Sequence, residues 1–299
     1  MKNFNELLKT ETEFINERID ELLPKKAVFQ DRIIEAMNYS VEAGGKRLRP
    51  MLVLESFRLC GGSNEALVYP FMAALECIHT YSLVHDDLPA MDNDDYRRGK
   101  LTTHKKYGED FGVLAGDGLL NYAYELMLEA VVSCSSDADR QSCSKAAAII
   151  ARKAGIYGMV GGQSLDVWLT DKSMNAQELD FIFRLKTGAL IEAAFMAGAV
   201  LAGAEDSIVE KIEKIGHYVG FAFQIKDDIL DITSTQEVLG KPVLSDEKNH
   251  KTTYVSLYGM EKAQRDVDDM SNCAVGLVKE LGNNGFLIDL IEMLINRDK

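Results

Sequence analysis

The sequence predicts an all-α protein. Apolar residues recur at three- and four-residue intervals along most of the 299-residue chain, strand-like alternation is almost absent, and the breaks between periodic stretches carry helix start and stop residues. A composition of 46% hydrophobic and 27% charged residues with 5 prolines suits a compact folded body. Neither a Pro-rich or Gly/Ser-rich linker nor a repeat of roughly 20 to 50 residues divides it, so residues 1–299 read as a single domain.

The elements follow in order. Met1 to Leu23 mixes Glu and Asp with Lys at helical spacing and lacks the apolar run of a signal peptide, so no targeting segment is expected. Leu7, Leu8, Phe14 and Ile15 mark one helical face, and Ile33, Ile34 and Met37 mark the next. Pro50 fits a first turn, Gly61-Gly62 can end that helix, and Ser63-Asn64 leads to a helix starting near Pro70. Met91 to Leu101, Ser133 to Ser144 and Thr233 to Thr252 read as polar loops. The most apolar stretch, Gly188 to Ala204, carries Glu192 and many small residues, and falls short of the roughly 20 apolar residues that span a bilayer. It reads as a buried helix, with no stable membrane insertion expected.

Charge and cysteine usage narrow the function. A net charge of -14 argues against a nucleic-acid surface, which needs cations to displace counterions from phosphates. The 5 cysteines are odd in number and form no Cys-x-x-Cys pair, so neither a disulfide framework nor a zinc site is indicated. A cytoplasmic location fits best.

Two acidic clusters stand out. The first, Asp86-Asp87-Leu88-Pro89-Ala90-Met91-Asp92, continues to Asp94 and Asp95 and ends an apolar stretch through Phe71, Leu75, Ile78 and Val84. A solvated acidic loop needs no such apolar stem. Asp86 and Asp92 are six apart with Pro89 between them, so one undistorted helix would not show both on one face, and a kink or bulge is expected. The second cluster, Asp227-Asp228-Ile229-Leu230-Asp231, follows Ile212, Ile215, Val219, Phe223 and Ile225. Asp227 and Asp231 share a helix face as i and i+4, where like charges repel by roughly 0.2–0.5 kcal/mol until a cation arrives. Hard carboxylate oxygens suit magnesium completed by phosphate oxygens.

A diphosphate held by metals also needs protein cations. Gly44-Gly45-Lys46-Arg47-Leu48-Arg49-Pro50 places bases before a helix start, with glycines that allow close backbone approach. Arg97-Arg98 offers guanidinium forks beside the first cluster, and Lys186-Thr187 and Lys241 are further candidates. His79 precedes Asp86 by two turns on nearly the same face, although a lone helical histidine is more often structural. A Ser-His-Asp set and a Walker loop are not evident.

Taken together, Gly44 to Pro50, Ile78 to Asp87, Asp94 to Gly99, Gly161-Gly162-Gln163-Ser164-Leu165-Asp166, Lys186-Thr187-Gly188 and Phe223 to Asp228 resemble the motifs of the short-chain trans-prenyltransferases, and among them the bacterial farnesyl diphosphate synthases. The resemblance spans most of the chain. It implies a large helical bundle of the isoprenoid synthase type around a central cavity, and head-to-tail condensation of an allylic diphosphate with isopentenyl diphosphate. By that resemblance Asp86, Asp92 and Asp227, with Asp87, Asp228 and Asp231 completing the acidic catalytic set, bind about three magnesium ions around the allylic diphosphate. Arg97, Lys186 and Lys241 grip that diphosphate, with Thr187 and Gln224 lining its site. Gly45, Lys46, Arg49, His79 and Arg98 hold isopentenyl diphosphate, and Arg297 to Lys299 close over it. A homodimer is the expected assembly.

Chain length follows from the depth below Asp86: Ser82 is too small to block the cavity, whereas Tyr81 is large enough to form a floor, which predicts a C15 product. The alternatives are a C10 or C20 synthase, a helical terpene cyclase, which needs no second diphosphate site, and a non-catalytic subunit of a heteromeric synthase, against which the intact aspartates count.

Overall fold

The computed structural model describes residues 3–233, 252–282 and 284–296. In chain order it holds α1 (Phe4–Leu22), α2 (Asp31–Val41), α3 (Leu48–Leu59), α4 (Tyr69–Asp86), a two-stranded hairpin β1 (Tyr96–Arg97) and β2 (Lys100–Leu101), then α5 (Thr103–Tyr107), α6 (Glu109–Ser133), α7 (Asp137–Ala154), α8 (Met159–Trp168) and α9 (Ala176–Ile182). A π-helical segment (Phe183–Gly188) runs into α10 (Ala189–Leu201), followed by α11 (Asp206–Thr233), α12 (Tyr254–Tyr258), α13 (Met260–Leu281) and α14 (Gly285–Ile295). The fold is all-α.

The apolar Ala/Gly-rich stretch becomes the central helix. Every residue of α10 except Met196 is buried, against α3, α7 and α11. Small residues make this possible: a Cβ on Gly198 would lie 2.2 Å from the Val53 carbonyl oxygen, so α3 and α10 touch backbone to backbone. Ser56 on α3 donates to the Phe195 carbonyl at 2.6 Å across the same contact. Around this axis α4 packs on α6, and α11 on α13.

Helix α4, with the short turn before it, is the one described segment long and apolar enough to cross a membrane by composition, spanning Glu65–Asp86 with mean hydropathy 1.3. Two-thirds of it is buried inside the protein instead.

Three local expectations change. Helix α4 ends at Asp86 rather than kinking, and the chain folds back so that the Asp92 amide donates to the Asp86 carbonyl at 2.8 Å. Much of Ser133 to Ser144 is helical, because Ser136 caps α7 by accepting from the Asp139 amide at 3.0 Å, with Asp137 and Asp139 in the first turn. The same polar residues that suit a loop here serve as the cap and first turn of a helix. Within Met91 to Leu101 lies the hairpin β1–β2, whose turn residues Arg98 and Gly99 have φ of 53° and 76°. Positive φ at both positions matches the twist of a two-residue hairpin.

Candidate active site

Helix α4, α8, the π-helical segment, α11 and the turn before α3 enclose a cavity of about 1130 Å³. Asp86, from the end of α4, and Asp227, from α11, both line it, although 141 positions separate them in sequence. The chain turn at Asp92 folds back on Asp86, so that the Asp92 charge reaches the Asp86 carboxyl. Burial pushes the Asp86 carboxyl up to about 6, with Lys186 pulling it down and Asp92 pushing it further up. A carboxylate so desolvated favours any cation that reaches it.

Lys186 faces this end of the cavity. Its ammonium lies 2.5 Å from Asp166 on α8, and although burial lowers its pKa, Asp166, Asp86 and Asp92 together hold it raised and charged. The π-helical segment that carries it is clamped between glycines. A Cβ on Gly162 of α8 would come 2.2 Å from the Lys186 amide nitrogen, and one on Gly220 of α11 would come 2.8 Å from the Gly188 Cα. π-Helical turns are rare and gather at functional sites. Here the wider turn sits beside Thr187, whose hydroxyl donates to the Gln224 side-chain oxygen at 2.8 Å, one turn before Asp227.

The other end is basic. In Gly44, Gly45 and Arg47 the backbone takes φ of 92°, 135° and 46°, a left-handed run that glycine makes accessible. The Arg98 guanidinium donates to the Gly44 carbonyl and lies against Gly45, where a Cβ would meet Arg98 Nη1 at 2.5 Å. Lys46, Arg49 and His79 line the same end. Burial pulls the Arg49 guanidinium down to about 10, and Arg49 Nε lies inside with no hydrogen-bond partner. Burial, then Arg49, Arg98 and Arg97, push the His79 imidazole well below its ordinary range, so it is neutral.

Between the two ends the lining is apolar, with Leu88, Met91, Val113, Met159, Val160, Leu190 and Phe223, and with Tyr81 and Ser82 on α4. Tyr81 is buried and packs edge-on against the His85 ring at 5.8 Å. A pattern characteristic of polyprenyl synthetases matches residues 30–279.

The chain belongs to the polyprenyl synthetase family. It is similar to the farnesyl diphosphate synthase of Micrococcus luteus, with 42% identity over 296 residues, 98% of this chain and 99% of that one. It is also similar to the geranylgeranyl diphosphate synthase of Cyanophora paradoxa, with 41% identity over 99% of this chain and 98% of that one. The crystal structure of an FPP/GFPP synthase from Zymomonas mobilis superposes with a TM-score of 0.85 at 31% identity, covering 98% of this chain and 99% of that chain.

Within this polyprenyl synthetase most of the expected residues line the cavity, while Asp92 lies exposed in the turn after α4 and is not part of that lining. Asp86, Asp227, Gly45, Lys46, Arg49, His79, Arg97, Arg98, Lys186, Thr187, Gln224, Tyr81 and Ser82 all line the one cavity. Asp87 does not; it is buried against Arg97, accepting from Nη2 at 2.6 Å and from Nε at 2.8 Å. Asp228 and Asp231 are also buried away from the main cavity, Asp228 accepting from the Tyr254 amide at 2.6 Å. Lys241 and Arg297 to Lys299 lie outside the described residues.

Among the described residues no three Asp, Glu, His or Cys side chains close into a cage for a metal ion. The carboxylates of α4 and α11 instead share one cavity, and their oxygen donors with a desolvated Asp86 fit a hard divalent ion that takes part of its shell from a phosphate. Two residues of this end had no role assigned from sequence: Gln163, whose amide donates to Asp86, and Asp166, which holds Lys186. Their spacing of i and i+3 in Gly161 to Asp166 was the available signal.

Proposed function

We propose that this polyprenyl synthetase condenses isopentenyl diphosphate head-to-tail with dimethylallyl or geranyl diphosphate, giving farnesyl diphosphate and releasing diphosphate. The observation that carries this is one cavity with a carboxylate-lined end, a separate arginine-lined end and an apolar middle. Two diphosphates and a hydrocarbon tail call for those three environments. A cyclase that ionises one substrate has no use for the Gly45, Lys46 and Arg49 end.

Asp86, Asp92 and Asp227 would hold magnesium, about three ions by the family resemblance, and the ions would supply positive charge to the departing diphosphate. Lys186 and Arg97 stabilise the same developing negative charge, which favours the transition state over the ground state. Thr187 and Gln224 turn oxygen dipoles toward the allylic carbon as it becomes cationic. Gly45, Lys46, Arg49 and Arg98 anchor isopentenyl diphosphate so that its double bond faces that carbon, and neutral His79 donates a hydrogen bond. The condensed cation then loses a proton, which the departing diphosphate accepts. Leu88, Met91, Val113 and Phe223 keep water from trapping the cation.

Tyr81 at the floor supports a C15 product over C20, since each further isoprene would occupy its place. The exposed Leu114, Leu128 and Val132 of α6 offer an apolar face to a second copy, which supports a homodimer. All five cysteines are free, in keeping with a reducing cytoplasm. The test is incubation with isopentenyl diphosphate and each allylic diphosphate, with and without magnesium, resolving products by chromatography. Farnesyl diphosphate formed only with magnesium is expected; full activity in excess chelator refutes the metal assignment.

A further inference from the structure

The turn that carries Gly45, Lys46 and Arg49 is held by a buried ion pair that borders the same cavity and has no part in the mechanism above. Arg47 sits at the N-terminus of α3 with its side chain only 4% exposed, turned away from solvent. Each guanidinium nitrogen has a partner: Nη1 donates to Glu76 Oε1 at 2.6 Å, Nε to Asn16 Oδ1 at 2.7 Å, and Nη2 to the Val41 carbonyl at 2.8 Å. These partners lie on α4, α1 and α2, so one side chain ties the turn to three helices. Glu76, 3% exposed, stands one turn before His79 on α4. It is also the carboxylate whose charge reaches Arg49 and Arg98.

Two features make this pair more than packing. Arg47 holds φ of 46°, a conformation that a non-glycine residue keeps only when its surroundings impose it. Lys46 and Arg49 flank it, so the side chain that fixes this backbone also fixes where its neighbours point. A fork with three different partners does this in a way that a single ammonium does not. Meanwhile Arg49 Nε is left inside without a partner, available to a ligand rather than to the protein.

We propose that Arg47 and Glu76 are positioning residues for isopentenyl diphosphate: their buried ion pair fixes the left-handed turn so that Lys46 and Arg49 meet its diphosphate. This rests on assigning Gly45, Lys46 and Arg49 to that substrate. It predicts an effect on one substrate and not the other, because Asp227 and Lys186 stand on other elements and Asp86 lies at the far end of α4, about three helical turns beyond Glu76.

The experiment is steady-state kinetics with magnesium, varying isopentenyl and geranyl diphosphate separately, for Arg49→Ala, Glu76→Gln, Arg47→Lys and Asn16→Ala. Glu76→Gln and Arg47→Lys are expected to raise KM for isopentenyl diphosphate about tenfold or more, with KM for geranyl diphosphate and kcat within about threefold. Asn16→Ala removes one tether without stranding a buried charge, and is expected to raise the same KM by a few-fold; Glu76→Asp is expected to restore part of the loss. Should Glu76→Gln fail to fold, Arg47→Lys and Asn16→Ala decide. An isopentenyl KM that is unchanged or lowered in these variants, while Arg49→Ala raises it, overturns the positioning role alone. An unchanged KM in Arg49→Ala overturns the subsite assignment and this inference with it. Equal rises in both KM values would mean general loosening, and would also overturn it.

Discussion

The side-chain amide of Gln163 on α8 donates a hydrogen bond to the carboxylate of Asp86 at the end of α4. It orients a carboxyl whose pKa burial has already pushed up to about 6, engaging the Oδ1 oxygen of a side chain that lines the cavity. Partners behind a ligand of this kind typically contribute about 10- to 100-fold in metal affinity or activity.

Gln163→Ala is therefore expected to raise the magnesium concentration needed for half-maximal rate by about 10- to 100-fold while leaving the melting temperature nearly unchanged. A magnesium titration at saturating substrates measures this. An unchanged titration would show that Asp86 is oriented without Gln163.

Gly162→Ala places a methyl group 2.2 Å from the Lys186 amide nitrogen, where backbone must move. The expected cost is about 1–3 kcal/mol of stability, with a fall in turnover because Lys186 moves with its segment. Gly118→Ala meets the Met37 side chain, which is flexible and can give way, and is expected to cost less than about 1 kcal/mol. Paired thermal melts and turnover numbers make the comparison; equal effects at both sites would remove the clamp from the account.

His79 is held neutral, which sets the sign of a pH effect. With the folded value well below 6.5, the unfolded chain takes up a proton as pH falls past 6.5 while the folded chain does not. Stability contributed by this residue is thus present above that pH and lost as the pH falls toward the folded value. Thermal melts from about pH 7.5 to about pH 5 should show the natural protein losing ground against His79→Gln, whose amide does not titrate. A gap that is constant across this range would mean that His79 carries the same charge in both states.

Tyr81→Ala removes a ring that lines the cavity and packs edge-on against His85 one turn along the same helix. Longer products, C20 and above, are expected, since each added CH₂ buried in the opened space favours elongation by about 0.8 kcal/mol. Chromatography of the dephosphorylated products reads this out. Unchanged C15 output would remove Tyr81 from chain-length control.

Much of this was legible in the sequence because the relevant signals are local. Apolar spacing marked the helices, and the Asp clusters and Gly-Gly-Lys-Arg turn marked both ends of the cavity. What escaped depends on neighbours distant in sequence. Phe183 to Gly188 is spelled like any helical segment, and nothing local announces the π-helical turn that Gly162 and Gly220 accommodate from two other helices. Asp86 and Asp87 are adjacent and chemically alike, yet one lines the cavity and the other pairs with Arg97, a division set by the hairpin that delivers that arginine. Arg47 and Arg49 likewise read as one basic run, and only the tertiary fold turns the first inward to Glu76.

The burial of α4 has a consequence for synthesis. A helix that could pass for a membrane span emerges from the ribosome before α6, the partner that will cover most of it, has been made. Until then it presents an apolar surface to the cell, where chaperones and lipid compete for it. Mutations that delay α6 from docking should therefore lower the yield of folded protein even where they leave the finished enzyme's turnover intact.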